Sequence, residues 1–238
     1  HKEYRRQRQM CIRDRVKQLL FLGSSCIYPK YAPQPIHETH LLSGMLESSN
    51  RPYAVAKIAG VEMCWAYNRQ YGTRYLAVMP NNLYGPGDNY DLATSHVLPA
   101  LIRKAHEAKC AGAADLEVWG TGTPRREFLY SDDLAGACIF LLTRSPDVLA
   151  GLFSEDHAPL INIGSGEEVS IRDLADQVRG VVGFTGKLEW DASKPDGTPR
   201  KWVDVERLRA LGWSATTPLA EGLSLAYQDF LERYQKPA

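Results

Sequence analysis

Leu19-Leu20-Phe21-Leu22-Gly23-Ser24-Ser25-Cys26-Ile27-Tyr28-Pro29, followed by Tyr53-Ala54-Val55-Ala56-Lys57, is the stretch on which the fold turns. Four consecutive apolar residues ended by Gly and Ser mark a buried strand that delivers small polar side chains at its carboxyl end. In open α/β sheets that end is where ligands bind. Tyr53 and Lys57 are four apart, so on a helix they share a face. An ammonium beside the phenol favours phenolate and makes Tyr53 a better proton donor near neutrality than an ordinary tyrosine, whose pKa is about 10. A solvated helix face would produce the same spacing. The preceding strand with its terminal Ser is what turns the pair toward chemistry.

With 238 residues, 44% of them hydrophobic, the chain has enough apolar side chains for one large core or two small ones. Lys plus Arg and Asp plus Glu number 28 each, so the overall charge points to neither nucleic acid nor an anionic membrane surface. No apolar run reaches membrane-spanning length, and no signal-peptide pattern stands at the start. The cysteines Cys11, Cys26, Cys64, Cys110 and Cys138 are scattered and lack a Cys-x-x-Cys pair. This favours a reducing cytoplasm over a disulfide framework, and no metal site is expected.

Residues 1–15 are basic and share no hydrophobic period with the strand after them, and are expected to be foreign or disordered sequence. Residues 26–52 form a long loop rich in Pro, Ser, His and Asn, of the kind that carries function. A helix is expected from Tyr53 to Tyr71, with Val55, Ile58, Ala59, Met63 and Tyr67 near one face and Gly72 as its stop. Arg74 to Pro80 forms a strand ending in the turn-rich Asn81-Asn82-Leu83-Tyr84-Gly85-Pro86-Gly87. Ser95 is expected to cap a helix through Ala105, with His96 in its first turn. Short strands at 116–120 and 127–130 flank a Gly-rich turn with Arg125 and Arg126, and Asp132 and Asp133 read as capping acids. Ser170 starts a helix to Val182, Lys187 to Asp191 suggests a strand, and two helices near 205–211 and 218–234 close the chain.

The motifs resemble the extended short-chain dehydrogenase/reductase family acting on nucleotide sugars, in particular its branch that makes GDP-L-fucose. The resemblance rests on the stretch 23–29, on Tyr53 to Lys57, on Pro80 to Pro86 and on Ser95-His96-Val97. It rests further on Trp119-Gly120-Thr121-Gly122-Thr123-Pro124-Arg125-Arg126-Glu127-Phe128 and on Asp191 to Lys201. It implies an α/β fold: the C-terminal part of a Rossmann-like parallel-sheet domain, interleaved over residues 16–238 with a smaller α/β substrate-binding domain. It also implies NADPH as cofactor, a GDP-sugar as substrate, and a homodimer in the full-length form.

By that resemblance the enzyme inverts C3 and C5 of GDP-4-keto-6-deoxy-mannose and then reduces its C4 ketone. The ketone acidifies the protons on both neighbouring carbons, so one base and one acid suffice for each inversion. The resemblance assigns Cys26 as base and His96 as acid, with Tyr53 as proton donor to the C4 oxygen. Ser24 would hydrogen-bond that oxygen, and Lys57 would hold the nicotinamide ribose. Tyr53, Lys57, Pro80, Asn81, Asn82, Leu83 and His96 are the implied cofactor contacts. Lys104, Trp119, Arg126 and Asp196 are the implied substrate contacts.

The family places a strand, a Gly-rich turn and a helix ahead of these motifs to bind the cofactor pyrophosphate. The resemblance therefore implies a missing half of roughly 90 residues, or about three βα units. A chain lacking it is expected to be inactive and prone to aggregation through exposed edges and apolar faces. Two other readings remain open: a nucleotide-sugar 4-epimerase or dehydratase, and a non-catalytic nucleotide-sugar-binding fragment.

Overall fold

Strand β1, Gln18–Leu22, lies parallel to β2, Arg74–Pro80, which in turn lies parallel to β6, Leu160–Ile163. Leu22 sits opposite Val78, and Pro80 opposite Ile163. This three-stranded Rossmann-like sheet, in the order β1-β2-β6, is the spine of the first of two units in a computed structural model that describes residues 16–234. The unit comprises the described chain up to Pro80, Gly136–Ile163 and Asp204–Ser214. Residues 1–15, expected to be foreign or disordered, lie outside the described residues.

Helix α1, Arg51–Tyr71, starts with Pro52 in its first turn and stops at Gly72, whose φ of 62° is left-handed. Its buried face is Ala54, Ile58, Val61 and Cys64, which corrects the stripe expected around Val55, Ala59 and Met63. Ala, Val, Ile and Met occur almost all round this helix, so periodicity alone could not choose a face. Close approach chose it, since a Cβ at Gly60 would overlap the Phe21 ring of β1. Val55 and Met63 are left 50% and 59% exposed.

The long segment after β1 carries three short 3-10 turns, Ser25–Ile27, Glu38–His40 and Ser48–Asn50. It is fastened by the buried Asn162 of β6. The Asn162 carboxamide accepts from the Tyr28 hydroxyl at 2.6 Å and donates to the Ile36 carbonyl at 2.9 Å. Its amide N–H donates to the buried Glu38 carboxylate at 2.9 Å. Burial and the neighbouring Glu38 charge hold the Tyr28 phenol far above its usual range, so it stays a neutral donor.

The second unit comprises Asn81–Ala135, Gly164–Val203 and the described chain from Ala215 on. Its central strand is β5, Arg125–Tyr130. Alongside it run β3, Asn82–Tyr84, parallel; β7, Glu168–Ser170, antiparallel; and β9, Arg200–Lys201, parallel. A separate parallel pair joins β4, Asp115–Trp119, to β8, Lys187–Asp191. The two strands that flank the Gly-rich turn therefore do not pair with each other. Helices α2, Val97–Cys110, α5, Ile171–Val182, and α7, Leu219–Tyr234, close over a core that includes Tyr84, Ile102, Phe128, Leu174, Leu223 and Phe230. The Ser170 hydroxyl caps α5 by accepting from the Asp173 N–H, as its sequence indicates.

Helix α3, Ser131–Thr143, carries the chain from the second unit into the first, where the short α4, Pro146–Leu149, follows; α6, Glu206–Ala210, lies later in the same unit. Asp132 and Asp133 stand in the first turn of α3, as expected of acids at a helix's positive end. The Asp133 carboxylate also accepts from the Thr216 hydroxyl at 2.9 Å and from the Thr217 N–H at 3.0 Å, so it fastens the segment before α7. Among the described residues no single helix is long and apolar enough to cross a membrane.

Glu127, with no exposed surface, holds the second unit at its centre. One carboxylate oxygen accepts from the Asn81 carboxamide at 2.5 Å and the Val203 N–H at 3.1 Å; the other accepts from the Gly166 N–H at 2.7 Å. Gly164 has to be glycine, because a Cβ there would overlap this carboxylate. Burial raises the Glu127 pKa, and the hydrogen bonds only partly oppose it.

These buried polar hubs predict two stability effects. Asn162→Ala strands the buried Tyr28 hydroxyl and leaves the Ile36 carbonyl with only its Asp204 N–H donor, and is expected to cost about 3 kcal/mol, read as a lower urea midpoint. The Glu127 carboxylate is met by donors, so a Gln amide at that position meets donors with donors, and Glu127→Gln is expected to cost about 2 kcal/mol at neutral pH. Because the native pKa is raised, the wild type loses stability relative to this variant as pH rises from the ordinary carboxylate range through the native value. Urea titrations at several pH values check the sign, and a gap widening in the opposite direction would refute the assignment.

Candidate functional site

β1 ends where Gly23 donates its N–H to the Val78 carbonyl at 2.9 Å. A Cβ at Gly23 would come within 2.6 Å of the Met79 sulfur and 3.1 Å of the Val78 oxygen. Only glycine lets the chain hug β2 there and then turn out of the sheet. Ser24 is the N-cap of the 3-10 turn Ser25–Ile27, and its hydroxyl accepts from the Cys26 N–H at 3.2 Å. Ser25 is buried, whereas Cys26 is partly exposed. The thiol thus stands on a capped turn at the carboxyl end of a parallel strand.

Helix α1 packs against that turn and brings the Tyr-x-x-x-Lys pair with it. The Lys57 ammonium donates to the Leu22 carbonyl at 2.8 Å and lies 5.6 Å from the Tyr53 ring centroid. The Tyr53 ring is 46% exposed. Ser24, Cys26, Tyr53 and Lys57, which the sequence named together, all belong to the first unit and gather around the end of β1.

Pro80 closes β2. The Asn81 carboxamide donates to Glu127, and the Asn82 carboxamide donates to the Glu127 main-chain carbonyl at 2.8 Å. Leu83 keeps its side chain exposed. His96 is in the second unit, and the expectation that Ser95 caps its helix is corrected. His96 is itself the N-cap of α2, with extended backbone and no side-chain capping bond. The reason lies in the preceding turn, where Asp91 accepts from the N–H groups of Ala93 and Thr94 and its carbonyl takes the Ser95 N–H at 2.7 Å. Ser95 closes that turn, so the helix starts one residue later and the imidazole stands exposed. The nearby Asp88 carboxyl is raised by burial, with the His96 charge acting against it.

The four expected substrate residues cluster within the second unit. Trp119, at the end of β4, is 61% exposed, and the Lys104 ammonium lies 5.0 Å from its ring centroid. Gly120, with φ of 87°, turns the chain so that Asp196 comes in close. Asp196 accepts from the Thr121 hydroxyl at 2.7 Å and N–H at 3.0 Å. These bonds, and then the Arg126 charge, hold its carboxyl below the usual range. Arg126 is half-buried, which lowers its pKa against the Asp196 charge that supports it.

Two members of this cluster were not singled out from sequence. Lys194 places a second ammonium 5.4 Å from the Trp119 ring, and Thr121 orients Asp196. The signal for Thr121 was its place after Trp119-Gly120, whereas Lys194 looked like any loop cation. An exposed indole flanked by two ammonium groups, with a guanidinium and a carboxylate beside it, suits a ligand that joins a flat ring to anionic groups. Among the described residues no group of three His, Cys, Asp or Glu side chains is placed to hold a metal ion.

Comparison with known proteins finds close relatives of the whole described chain. GDP-L-fucose synthase 1 of Arabidopsis thaliana is 57% identical over 217 residues, covering 91% of this chain. The chain spans 64% of that enzyme's length. GDP-L-fucose synthase of Escherichia coli (strain K12) is 52% identical over 224 residues, or 93% of this chain and 68% of the relative. A crystal structure of a GDP-L-fucose synthetase from Naegleria fowleri bound to NADP superposes with a TM-score of 0.83 at 30% identity, covering 95% of this chain and 70% of that one. Residues 8–152 match the model of one family. With a parallel sheet that delivers a capping serine, a thiol and, from the helix beside it, a Tyr-x-x-x-Lys pair at its carboxyl end, the chain belongs to the NAD dependent epimerase/dehydratase family.

Proposed function

We propose that the whole protein converts GDP-4-keto-6-deoxy-D-mannose to GDP-L-fucose by 3,5-epimerisation and NADPH-dependent 4-reduction. The observation that carries this reading is the Lys57 ammonium fixed 2.8 Å from the Leu22 carbonyl, with Tyr53 one helical turn back and the Cys26 turn packed beside them. Relatives named for GDP-L-fucose synthesis, at 52% and 57% identity, support the substrate class.

The fit to a nicotinamide cofactor rests on the same geometry. Lys57 and the exposed Tyr53 present donors at a strand's carboxyl end, where such sheets hold a nucleotide. NADPH supplies the hydride that reduces C4. The chain's own residues do the rest. Cys26, as thiolate, removes the proton from C3 and C5 in turn, each acidified by the C4 ketone, and His96 returns one on the opposite face. Tyr53 gives its phenolic proton to the C4 oxygen, which Ser24 also contacts, and Lys57 steadies the phenolate left behind.

Lys104 and Arg126 neutralise the diphosphate, Trp119 provides a stacking surface, and Asp196 receives a donor from the sugar or the base. The apolar face of α1 left exposed at Val55 and Met63 supports a homodimer. The scattered cysteines of the sequence, without a Cys-x-x-Cys pair, support a cytoplasmic location.

In the NADP-loaded protein, Cys26→Ser is expected to slow solvent-deuterium incorporation at C3 and C5 by about 100-fold or more, followed by NMR. Unchanged incorporation would exclude Cys26 as the base and favour a 4-epimerase or dehydratase. Trp119→Ala is expected to weaken GDP binding about tenfold by calorimetry. Equal affinity of variant and wild type would remove Trp119 from the nucleotide site.

A further inference from the structure

One cluster of nucleophile and base lies apart from every residue used above. Cys110 is the last residue of α2, and its thiol is exposed. One turn back, the His106 Nε2 atom lies 3.4 Å from the Cys110 sulfur. The other ring nitrogen, Nδ1, lies 3.0 Å from the hydroxyl of Tyr227 on α7. The ring is held from the side by Phe230, edge-on at 5.2 Å between centroids. Nucleophile, base and orienting group thus stand in hydrogen-bond sequence, which is the arrangement that activates a thiol or hydroxyl elsewhere.

The surroundings leave the activation to His106. The end of a helix carries partial negative charge and works against a thiolate, so the helix itself gives Cys110 no help. The charged groups nearby are committed to other partners: Arg103 to Glu107 at 2.7 Å, Lys109 to the Val182 carbonyl at 2.7 Å, and Arg233 to Asp229 at 2.7 Å. Tyr227 is buried, which raises its pKa, with the neighbouring Cys110 charge adding to the effect. It therefore remains a neutral phenol. When its oxygen accepts from Nδ1–H, the lone pair of Nε2 is turned toward the thiol.

The other described cysteines are differently placed. Cys64 is buried and its thiol is pushed up to about 11, burial also raises Cys138, and Cys26 has the role proposed above.

We propose that Cys110 is a modification site for small-molecule disulfides, with His106 as its base and Tyr227 as a positioning residue. The Cys110 thiol gives its proton to His106 Nε2, and its sulfur attacks one sulfur of the disulfide. That S–S bond breaks as the mixed disulfide forms, and the departing thiolate takes the proton back from His106. Half of the small disulfide is reduced to thiol while Cys110 is oxidised to the mixed disulfide, so atoms and electrons balance.

The test is to incubate the full chain with oxidised glutathione and follow each cysteine by peptide mass spectrometry. Cys110 is expected to form the adduct ahead of Cys64 and Cys138, and dithiothreitol should reverse it. His106→Gln should slow adduct formation about tenfold at pH 7, with the gap closing above about pH 9.5, where an ordinary thiol ionises without a base. Tyr227→Phe should show the same pH-dependent slowing in a weaker form. Equal rates for wild type and His106→Gln at pH 7, or a gap that persists at every pH, would overturn the proposal. If either variant fails to fold, iodoacetamide labelling of the wild type decides it. Cys110 must then outpace free glutathione at pH 7, and a rate equal to or below that standard refutes the site.

Discussion

A buried carboxylate sets the terms for one whole unit of this protein. The chain enters the second unit at Asn81 and again at Gly164, and leaves it after Val203. Glu127 bonds to Asn81, to Gly166 and to Val203, so one side chain gathers three of the places where the chain changes units. Burying a carboxylate is costly without partners, and here several donors converge on it. Strand β5 carries this group, and β3, β7 and β9 are laid against β5. The sheet and the connections share one anchor. The loop holding Asp196 is then placed by β8 and β9, which are fixed on either side of it.

The first unit solves a related problem with a neutral hub. Asn162 has a donor and an acceptor on its side chain, and it uses both on a segment of low regular structure, through Tyr28 and Ile36. The Asp204 N–H bonds to the same Ile36 carbonyl, so the returning chain is tied to the same point. A long loop with few ladder bonds would otherwise leave buried main-chain groups unpaired. With the loop fixed, the turn from Ser24 to Ile27 keeps its place at the end of β1. The chemistry proposed above depends on that turn, since it carries both the hydroxyl and the thiol.

Each unit combines fixed and exposed polar groups. In the first, Lys57 is tied to a main-chain carbonyl, and in the second Asp196 is tied to Thr121. Trp119, Tyr53 and His96 remain accessible. Lys104 and Lys194 both stand over the same indole and gather positive charge around it.

The sequence by itself determined the strand at 18–22, the Gly72 helix stop, the Ser170 cap and the grouping of Ser24, Cys26, Tyr53 and Lys57. Each of these is written in local chemistry: an apolar run, a left-handed glycine, a hydroxyl three residues before an acid, and a four-residue spacing. Only the tertiary structure decided which face of α1 is buried, because the helix is apolar nearly all round and the Gly60 contact with Phe21 made the choice. It also moved the cap of α2 to His96, since Asp91 claimed the Ser95 N–H, and it gave the Asp133 carboxylate to Thr216 and Thr217. Glu127, Asn162, Thr121 and Lys194 were not legible as special. Their partners lie tens of residues away, and a long-range hydrogen bond leaves no period or spacing in the sequence.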